Sequence, residues 1–347
     1  MITDIVHIDE KGIDFDSKEL EKAASIIQSG GLVAFPTETV YGLGADAKNE
    51  EASAKIYAAK GRPSDNPLIV HIADISKLNE AAKEVNEMAK KLADAFWPGP
   101  LTLVLPKHDD IPYATTGGLD TVAVRYPSHP VAMALIKKSD RLIAAPSANA
   151  SGRPSPTLAS HVLEDLDGRI PMIIDGGQVG IGIESTIVDC TGEVPVILRP
   201  GFITPKMVKD VCGECTIDPG IIANDSSVKP KAPGMKYRHY APKAPLTIVE
   251  GPKEKVVSYI NSQLLSGKKV GIIATDETLG NYTGGKIISV GSCDDERSVA
   301  HNLYGALRQM DGLDVEVIYS ESFETPGLGE AVMNRLLKAA GHQIIKV

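Results

Sequence analysis

Short apolar runs alternate with helical segments from Leu32 to Leu198, and that alternation narrows the chain to a layered α/β fold. The runs are Leu32–Phe35, Leu68–Ile72, Leu101–Leu105, Thr121–Arg125, Leu142–Ala145, Met172–Ile174, Ser185–Asp189 and Val194–Leu198, each read as a strand. Helices are predicted over Glu51–Ala59, Ala81–Phe96, Pro130–Lys138 and Leu158–Leu166. An earlier helix opens on a capping box from Asp16 to Glu19, runs its apolar face through Leu20, Ala24 and Ile27, and stops at Gly30-Gly31. Some strands are joined by short loops, which calls for a mixed sheet.

The pattern changes after Val211. Pro219, Pro230, Pro233, Pro242 and Pro245 punctuate a stretch with little periodicity, read as a linker. Beyond it, strands at Leu246–Val249, Val270–Ala274, Ile287–Val290 and Val315–Tyr319 alternate with helices at Val256–Leu265, Val299–Met310 and from Gly329 onward. That βαβ series predicts a small parallel-sheet domain. With 347 residues the chain exceeds one comfortable core. The expected organisation is a twisted mixed-sheet domain over 1–213, a linker over 214–245 and a small Rossmann-like α/β domain over 246–347.

The net charge of −9 argues against indiscriminate nucleic-acid binding, and 5% aromatics do not suggest base-stacking platforms. No apolar run approaches the roughly 18 residues of a membrane helix. The acidic, mixed first residues do not resemble a signal peptide, so a cytoplasmic location is expected. Cys212 and Cys215 form a CxxC pair, but no second pair or nearby histidine completes a zinc site.

Four segments concentrate the polar chemistry in loops after strands, where open α/β sheets bind ligands. Phe35–Gly44 crowds Thr37, Glu38, Thr39 and Tyr41 ahead of Gly42 and Gly44. Lys60-Gly61-Arg62 follows a helix and precedes Pro63, Asn66, Pro67 and His71. Two cations at a helix end complement its dipole, but a rigidly held Lys/Arg pair also suits phosphate oxygens. Ala145–Thr157 supplies Ser147, Asn149 and Ser155, with Thr157 a candidate helix cap. Asp175–Asp189 is glycine-rich, yet its spacing is not GxGxxG and a strand follows. Arg125 and Arg199 each end a strand, Arg125 as a candidate carboxylate clamp. No P-loop, kinase signature or nucleophile elbow is present. The residues alone therefore predict an anion site built from Lys60, Arg62, Arg125 and Arg199, without naming a reaction.

KGRPSDNPLIVHI, FWPGPLTLVL, TVAVRYPSHPVA, APSANASGRPSPT and ESTIVDC closely resemble the YrdC/YciO-type family of threonylcarbamoyl-AMP synthases. Lys60 with Arg62 matches its KxR pair, and Ser147 with Asn149 its SxN pair. Lys231–Pro242 resembles the linker of the longer two-domain form, and GLGEAVMNRLLKA its C-terminal domain.

The resemblance implies a large concave groove in the first domain, where L-threonine, bicarbonate and ATP give threonylcarbamoyl-AMP and pyrophosphate. Mg²⁺ accompanies ATP. A separate transferase complex then modifies tRNA, so tRNA contact by this chain is at most indirect or weak, and no membrane is involved. Arg62, Asn66, Thr121, Ser147, Asn149, Ser155, Arg199 and Tyr240 are expected around ATP or the adenylate, with Lys60 and Arg62 serving catalysis. Thr39, His71, Arg125, the backbone at Ala145, and Ser185 are expected to hold threonine. Lys236–Tyr240 is expected to fold back as a lid. A non-catalytic RNA-binding protein and a carbamoyltransferase acting on another acceptor are the rival readings.

Overall fold

The computed structural model describes residues 2–221, 239–323 and 327–347. The chain divides into two units. The first holds β1 (Asp4–His7), α1 (Lys18–Gln28), β2 (Val33–Phe35), β3 (Gly42–Asp46), α2 (Glu50–Lys60), β4 (Ile69–His71), α3 (Leu78–Ala81) and α4 (Glu87–Phe96). It continues through β5 (Leu101–Pro106), α5 (Tyr113–Thr116), β6 (Thr121–Arg125), α6 (Pro130–Ser139), β7 (Ile143–Ala144), α7 (Ala159–Leu166) and β8 (Met172–Asp175). β9 (Thr186–Asp189), β10 (Val196–Arg199), α8 (Pro205–Cys212) and β11 (Thr216–Ile217) complete it.

These strands form one mixed sheet in the order β1-β8-β2-β3-β7-β4-β6-β5-β9-β10-β11. Leu20 and Ile27 of α1 and Val131 and Leu135 of α6 pack on one face with Val33, Phe35, Met172 and Ile174. Ala52 and Ile56 of α2 and Leu92 of α4 pack on the other with Ala34, Leu43, Val70, Leu103 and Val124. The alternation of Val33, Ala34 and Phe35 between the two cores is the period-two rule of a strand buried on both faces. A third cluster, Ile69, Val104, Ala123, Ile187 and Leu198, consists of strand residues alone.

Local chemistry departs from the sequence expectation at three points. The cap of α1 is Ser17, whose hydroxyl accepts from Leu20 N–H at 3.3 Å; Asp16 instead faces Lys138. The expected helix Ala81–Phe96 is broken, because Ala82 bridges Lys107 and Asn86 recaps the chain for α4. The Asn86 Nδ2 donates to Cys190 O at 2.7 Å, tying that new start to the end of β9. Thr157 does not cap α7; Leu158 holds the cap position, and Thr157 N–H meets the His161 ring.

The second unit comprises Gly152–Ser155, Ile181–Ile183 and Arg238–Val347. Its strands are β12 (Leu246–Glu250), β13 (Val270–Ala274), β14 (Lys286–Ser289), β15 (Val317–Glu321) and β16 (Ile344–Lys346). Its helices are α9 (Lys253–Leu264), α10 (Glu296–Asp311) and α11 (Gly329–Ala339). All its strand pairs are parallel, in the order β14-β13-β15-β12-β16. That order differs from the dinucleotide-binding one, in which the first strand lies between the second and fourth. Gly152–Ser155 is tied in where Arg308 Nη2 donates to Pro154 O at 2.6 Å and Ala241 N–H to Gly152 O at 2.9 Å. Within the stretch 214–245, Thr216–Ile217 pairs with β10, and residues 222–238, including most of the expected lid, lie outside the described residues.

Candidate active site

The end of α2 shows how the sequence places its cations. Gly61 adopts a left-handed conformation at φ 62°, its N–H reaches Ala58 O, and Arg62 N–H bonds Tyr57 O at 3.0 Å. This Schellman closure ends the helix between Lys60 and Arg62, and the two side chains go to different partners. Lys60, 3% exposed, donates its ammonium to the backbone oxygens of Ser147 and Asn149, the latter at 2.5 Å. Ser147 Oγ in turn donates to Asn149 Oδ1 at 2.6 Å. The KxR and SxN segments are thus one hydrogen-bonded assembly. Arg62 uses Nε on Asn66 O at 3.2 Å and Nη2 on Pro67 O at 3.1 Å. Asn66 is buried with its Oδ1 unpartnered.

A second group lies at the far ends of the central strands. His71 is the register partner of Arg125, Arg125 of Thr102, Thr102 of Ile187, and Ile187 of Arg199. One row across β4, β6, β5, β9 and β10 therefore carries four polar side chains, all buried. Ile69, Ala123 and Val104, two positions along their strands from His71, Arg125 and Thr102, form an apolar cluster with Ile187 of the row itself and Leu198, so the polar row borders an apolar floor. Ser185, directly before β9, joins the row. Its hydroxyl lies 2.8 Å from Thr102 Oγ1 and accepts from Arg199 Nη2 at 3.1 Å, while Arg199 Nε donates to Ser185 O.

Arg125 is held by the loop between β2 and β3. Its Nη1 donates to Thr39 Oγ1 at 2.9 Å, and Thr39 and Thr37 hydroxyls stand 2.8 Å apart. Thr37 then donates to Val40 O at 2.7 Å, which sets the direction of the whole chain. Arg125 Nη2 approaches Glu38 Oε1 to 2.8 Å, an ion pair not aligned as a hydrogen bond; Arg125 Nε and Glu38 Oε2 are buried without a hydrogen-bond partner. Unspent hydrogen-bonding capacity on buried charges is costly and marks this corner as built for something else. His71 Nδ1 sits 3.0 Å from Ile69 O, and burial followed by the charge of Arg125 pushes its pKa down to about 3, so the ring is neutral. Ala145 N–H donates to Ile69 O at 2.8 Å. Tyr41, from the same loop as Thr39, donates its hydroxyl to Gly177 O at 2.6 Å and anchors the turn after β8.

The site residues expected from sequence therefore fall into distinct places. Lys60, Arg62, Asn66, Ser147 and Asn149 gather around the end of α2. Thr39, His71, Arg125, Ser185 and Arg199 gather on the polar row. Thr121 opens β6, at the opposite end of that strand from Arg125. Ser155 and Tyr240 belong to the second unit, where Tyr240 is buried at a left-handed φ of 65° with its ring 5.1 Å from that of Tyr304. Glu38 and Thr102 were not expected. The available signals were a carboxylate between two threonines and a hydroxyl inside the apolar run Leu101–Leu105. Among the described residues no group of three or more His, Cys, Asp or Glu side chains is placed to hold a metal ion. Nor, among the described residues, is any helix long and apolar enough to cross a membrane.

Residues 25–201 match a family profile described as "Telomere recombination" (Sua5, YciO and YrdC), and residues 203–341 match "Threonylcarbamoyl-AMP synthase, C-terminal domain". The threonylcarbamoyl-AMP synthase of Bacillus subtilis is 52% identical over 94% of this chain and 94% of its own. That of Pyrococcus abyssi is 51% identical over 100% of both. The solved structure of Pyrococcus abyssi Sua5 complexed with L-threonine superposes with a TM-score of 0.94, at 52% identity, covering 99% of this chain and 100% of the other. By sequence along both units and by fold, this chain belongs to the threonylcarbamoyl-AMP synthase family, in its two-domain form.

Proposed function

We propose that this enzyme joins L-threonine, bicarbonate and ATP into threonylcarbamoyl-AMP, releasing pyrophosphate and water, with the two residue groups dividing the substrates between them. The observation that carries the division is the buried Arg125, whose Nε is unspent, on a polar row that shares no residue with the Lys60–Ser147–Asn149 assembly. Over the four steps from Thr121 to Arg125 a strand rises about 13 Å, room for an amino acid at one end and a nucleotide at the other. That the Pyrococcus abyssi relative has been solved with L-threonine supports placing threonine here.

Arg125 clamps the threonine carboxylate, with Thr39 orienting the guanidinium and neutral His71 and Ser185 offering uncharged contacts. Arg62, Asn66, Ser147 and Asn149 take the phosphates and nucleoside, with Thr121 and, reaching over from the polar row, Arg199 as further nucleotide contacts. Threonine's amine combines with bicarbonate to give a carbamate and water. A carbamate oxygen then attacks the α-phosphorus, and pyrophosphate leaves. The enzyme's part is positioning and charge neutralisation. Mg²⁺ enters with ATP as part of the substrate, and the cationic side chains complement what charge it leaves on the phosphates. Lys60 acts by holding the Ser147–Asn149 loop in place. The product is an activated carbamate, consumed in the cytoplasm by a separate transferase acting on tRNA.

The test is pyrophosphate release from ATP, with and without threonine and bicarbonate, in wild type and Arg62→Ala. Release that requires both co-substrates and is lost in the variant is expected. Release indifferent to threonine would overturn the reading in favour of another acceptor, and no turnover with salt-sensitive RNA binding would favour an RNA-binding role.

A further inference from the structure

We propose that Glu38 is the counter-charge for the α-ammonium of the amino-acid substrate, so that Arg125 and Glu38 together read a zwitterion. The inference rests on the placement of the threonine carboxylate at Arg125.

A carboxylate kept only to neutralise a buried arginine is expected to meet it fork to fork, through two parallel hydrogen bonds. Glu38 does not. Its Oε1 lies 2.8 Å from Arg125 Nη2 out of hydrogen-bond alignment, and both its oxygens are buried without a hydrogen-bond partner. Arg125 is likewise incompletely used: Nη1 is spent on Thr39 Oγ1, while Nε and Nη2 lack a hydrogen-bond partner. The two opposite charges are thus offset, each presenting an unspent edge beside the other. An α-amino acid carries the complementary pair, a carboxylate and an ammonium separated by one carbon. Its carboxylate matches the guanidinium edge and its ammonium the Glu38 oxygens, neither of which holds a hydrogen bond.

The surroundings leave this job to Glu38. Thr37 and Thr39 hydroxyls are committed to a one-way chain ending on Val40 O. His71, next in the row, is neutral and its Nδ1 is engaged with Ile69 O. Thr102 and Ser185 are uncharged and bonded to each other. The loop also holds Glu38 in place independently of a ligand, because Thr37 Oγ1 accepts the N–H groups of both Thr39 and Val40. An anionic α-hydroxy acid has the carboxylate but not the ammonium, so it competes with Glu38 for Arg125 while giving the Glu38 oxygens no donor, and is rejected by that cost.

The experiment is equilibrium binding of L-threonine and of its α-hydroxy analogue to the full chain, in wild type, Glu38→Gln and Arg125→Gln. In wild type the analogue should bind at least about tenfold more weakly than threonine, the scale of one charge-assisted hydrogen bond. In Glu38→Gln, threonine should weaken by about ten- to a hundredfold while the analogue changes little, so the discrimination collapses. Equal loss of both ligands in Glu38→Gln would make Glu38 only a support for Arg125 and overturn the proposal. Unchanged binding of both would do the same. Should the glutamine variant fail to fold, wild type decides: equal affinity for threonine and analogue ends the proposal, and Glu38→Asp should discriminate to an intermediate degree. Arg125→Gln separates the two levels of inference, since undiminished threonine binding there removes the site placement itself.

Discussion

The Lys60 ammonium stands 2.5 Å from the backbone oxygen of Asn149, making a side chain from the end of α2 the internal support of a loop nearly ninety residues away. A single tetrahedral nitrogen converges on carbonyls of Ser147 and Asn149 as a planar guanidinium cannot. Lys60→Met should leave both oxygens short of a donor and release the SxN loop. The expected loss in adenylate synthesis is about 10²–10³-fold, comparable to removing a transition-state donor. Lys60→Arg should not restore it. Single-turnover kinetics on both variants check this, and a Lys60→Met enzyme with wild-type turnover would refute the positioning role.

Ser185 bridges Thr102 and Arg199, so the two sides of that bridge are predicted to respond differently. Thr102→Val keeps the shape and removes one hydroxyl, and should cost about 1 kcal/mol of stability with only a few-fold change in rate. Ser185→Ala leaves both Thr102 and the Arg199 guanidinium without that partner, and should cost about 1–3 kcal/mol with a larger loss of activity. Denaturant unfolding and steady-state kinetics on the pair test the ranking; equal effects would show that Ser185 is not the node.

His71 predicts an acid-sensitive contribution to stability. Its folded pKa is depressed to about 3, below the unfolded value of about 6.5, so between those limits the unfolded chain binds a proton that the folded chain refuses. Stability is therefore lost as pH falls through that window, by up to about 1.4 kcal/mol per pH unit, and this term is flat above it. His71→Gln should flatten the acid limb of the stability curve between about pH 6 and pH 4. Denaturant midpoints across that range provide the check, with an unchanged slope as the contrary result.

In the second unit, Glu321 at the end of β15 accepts the Thr275 N–H at 3.1 Å, the Tyr282 hydroxyl at 2.5 Å and the Thr278 hydroxyl. Burial and then the carboxylate beside it push the Tyr282 pKa up, keeping that phenol a donor. Glu321→Ala strands these donors in a buried setting and should destabilise the unit by about 3–5 kcal/mol. Hydrogen exchange at Val270–Ala274 should rise accordingly. Exchange no faster than wild type would mean that the network contributes little.

Much of this was legible in the linear chain. Strand positions followed from short apolar runs: Thr121–Arg125 and Val270–Ala274 match in both limits, and most others lie within two residues. The strands Asp4–His7, Gly42–Asp46, Thr216–Ile217 and Ile344–Lys346 were missed. Gly42–Asp46 has too little apolar periodicity to read as a strand, and becomes one because Phe35 and Ala144 lie beside it. The break within Ala81–Phe96 depended on a distant acceptor, Cys190 O.

What the sequence determined by itself was the alternation of strand and helix, the helix end at the glycine between Lys60 and Arg62, and the family motifs. These depend on neighbours within a few positions, where spacing and side-chain chemistry act directly. Only the tertiary structure decided that His71, Arg125, Thr102 and Arg199 share one row, and that Glu38 meets Arg125 across 87 positions. Strand order and register set those meetings, and they are chosen by packing two cores at once, so no local run of residues can announce them.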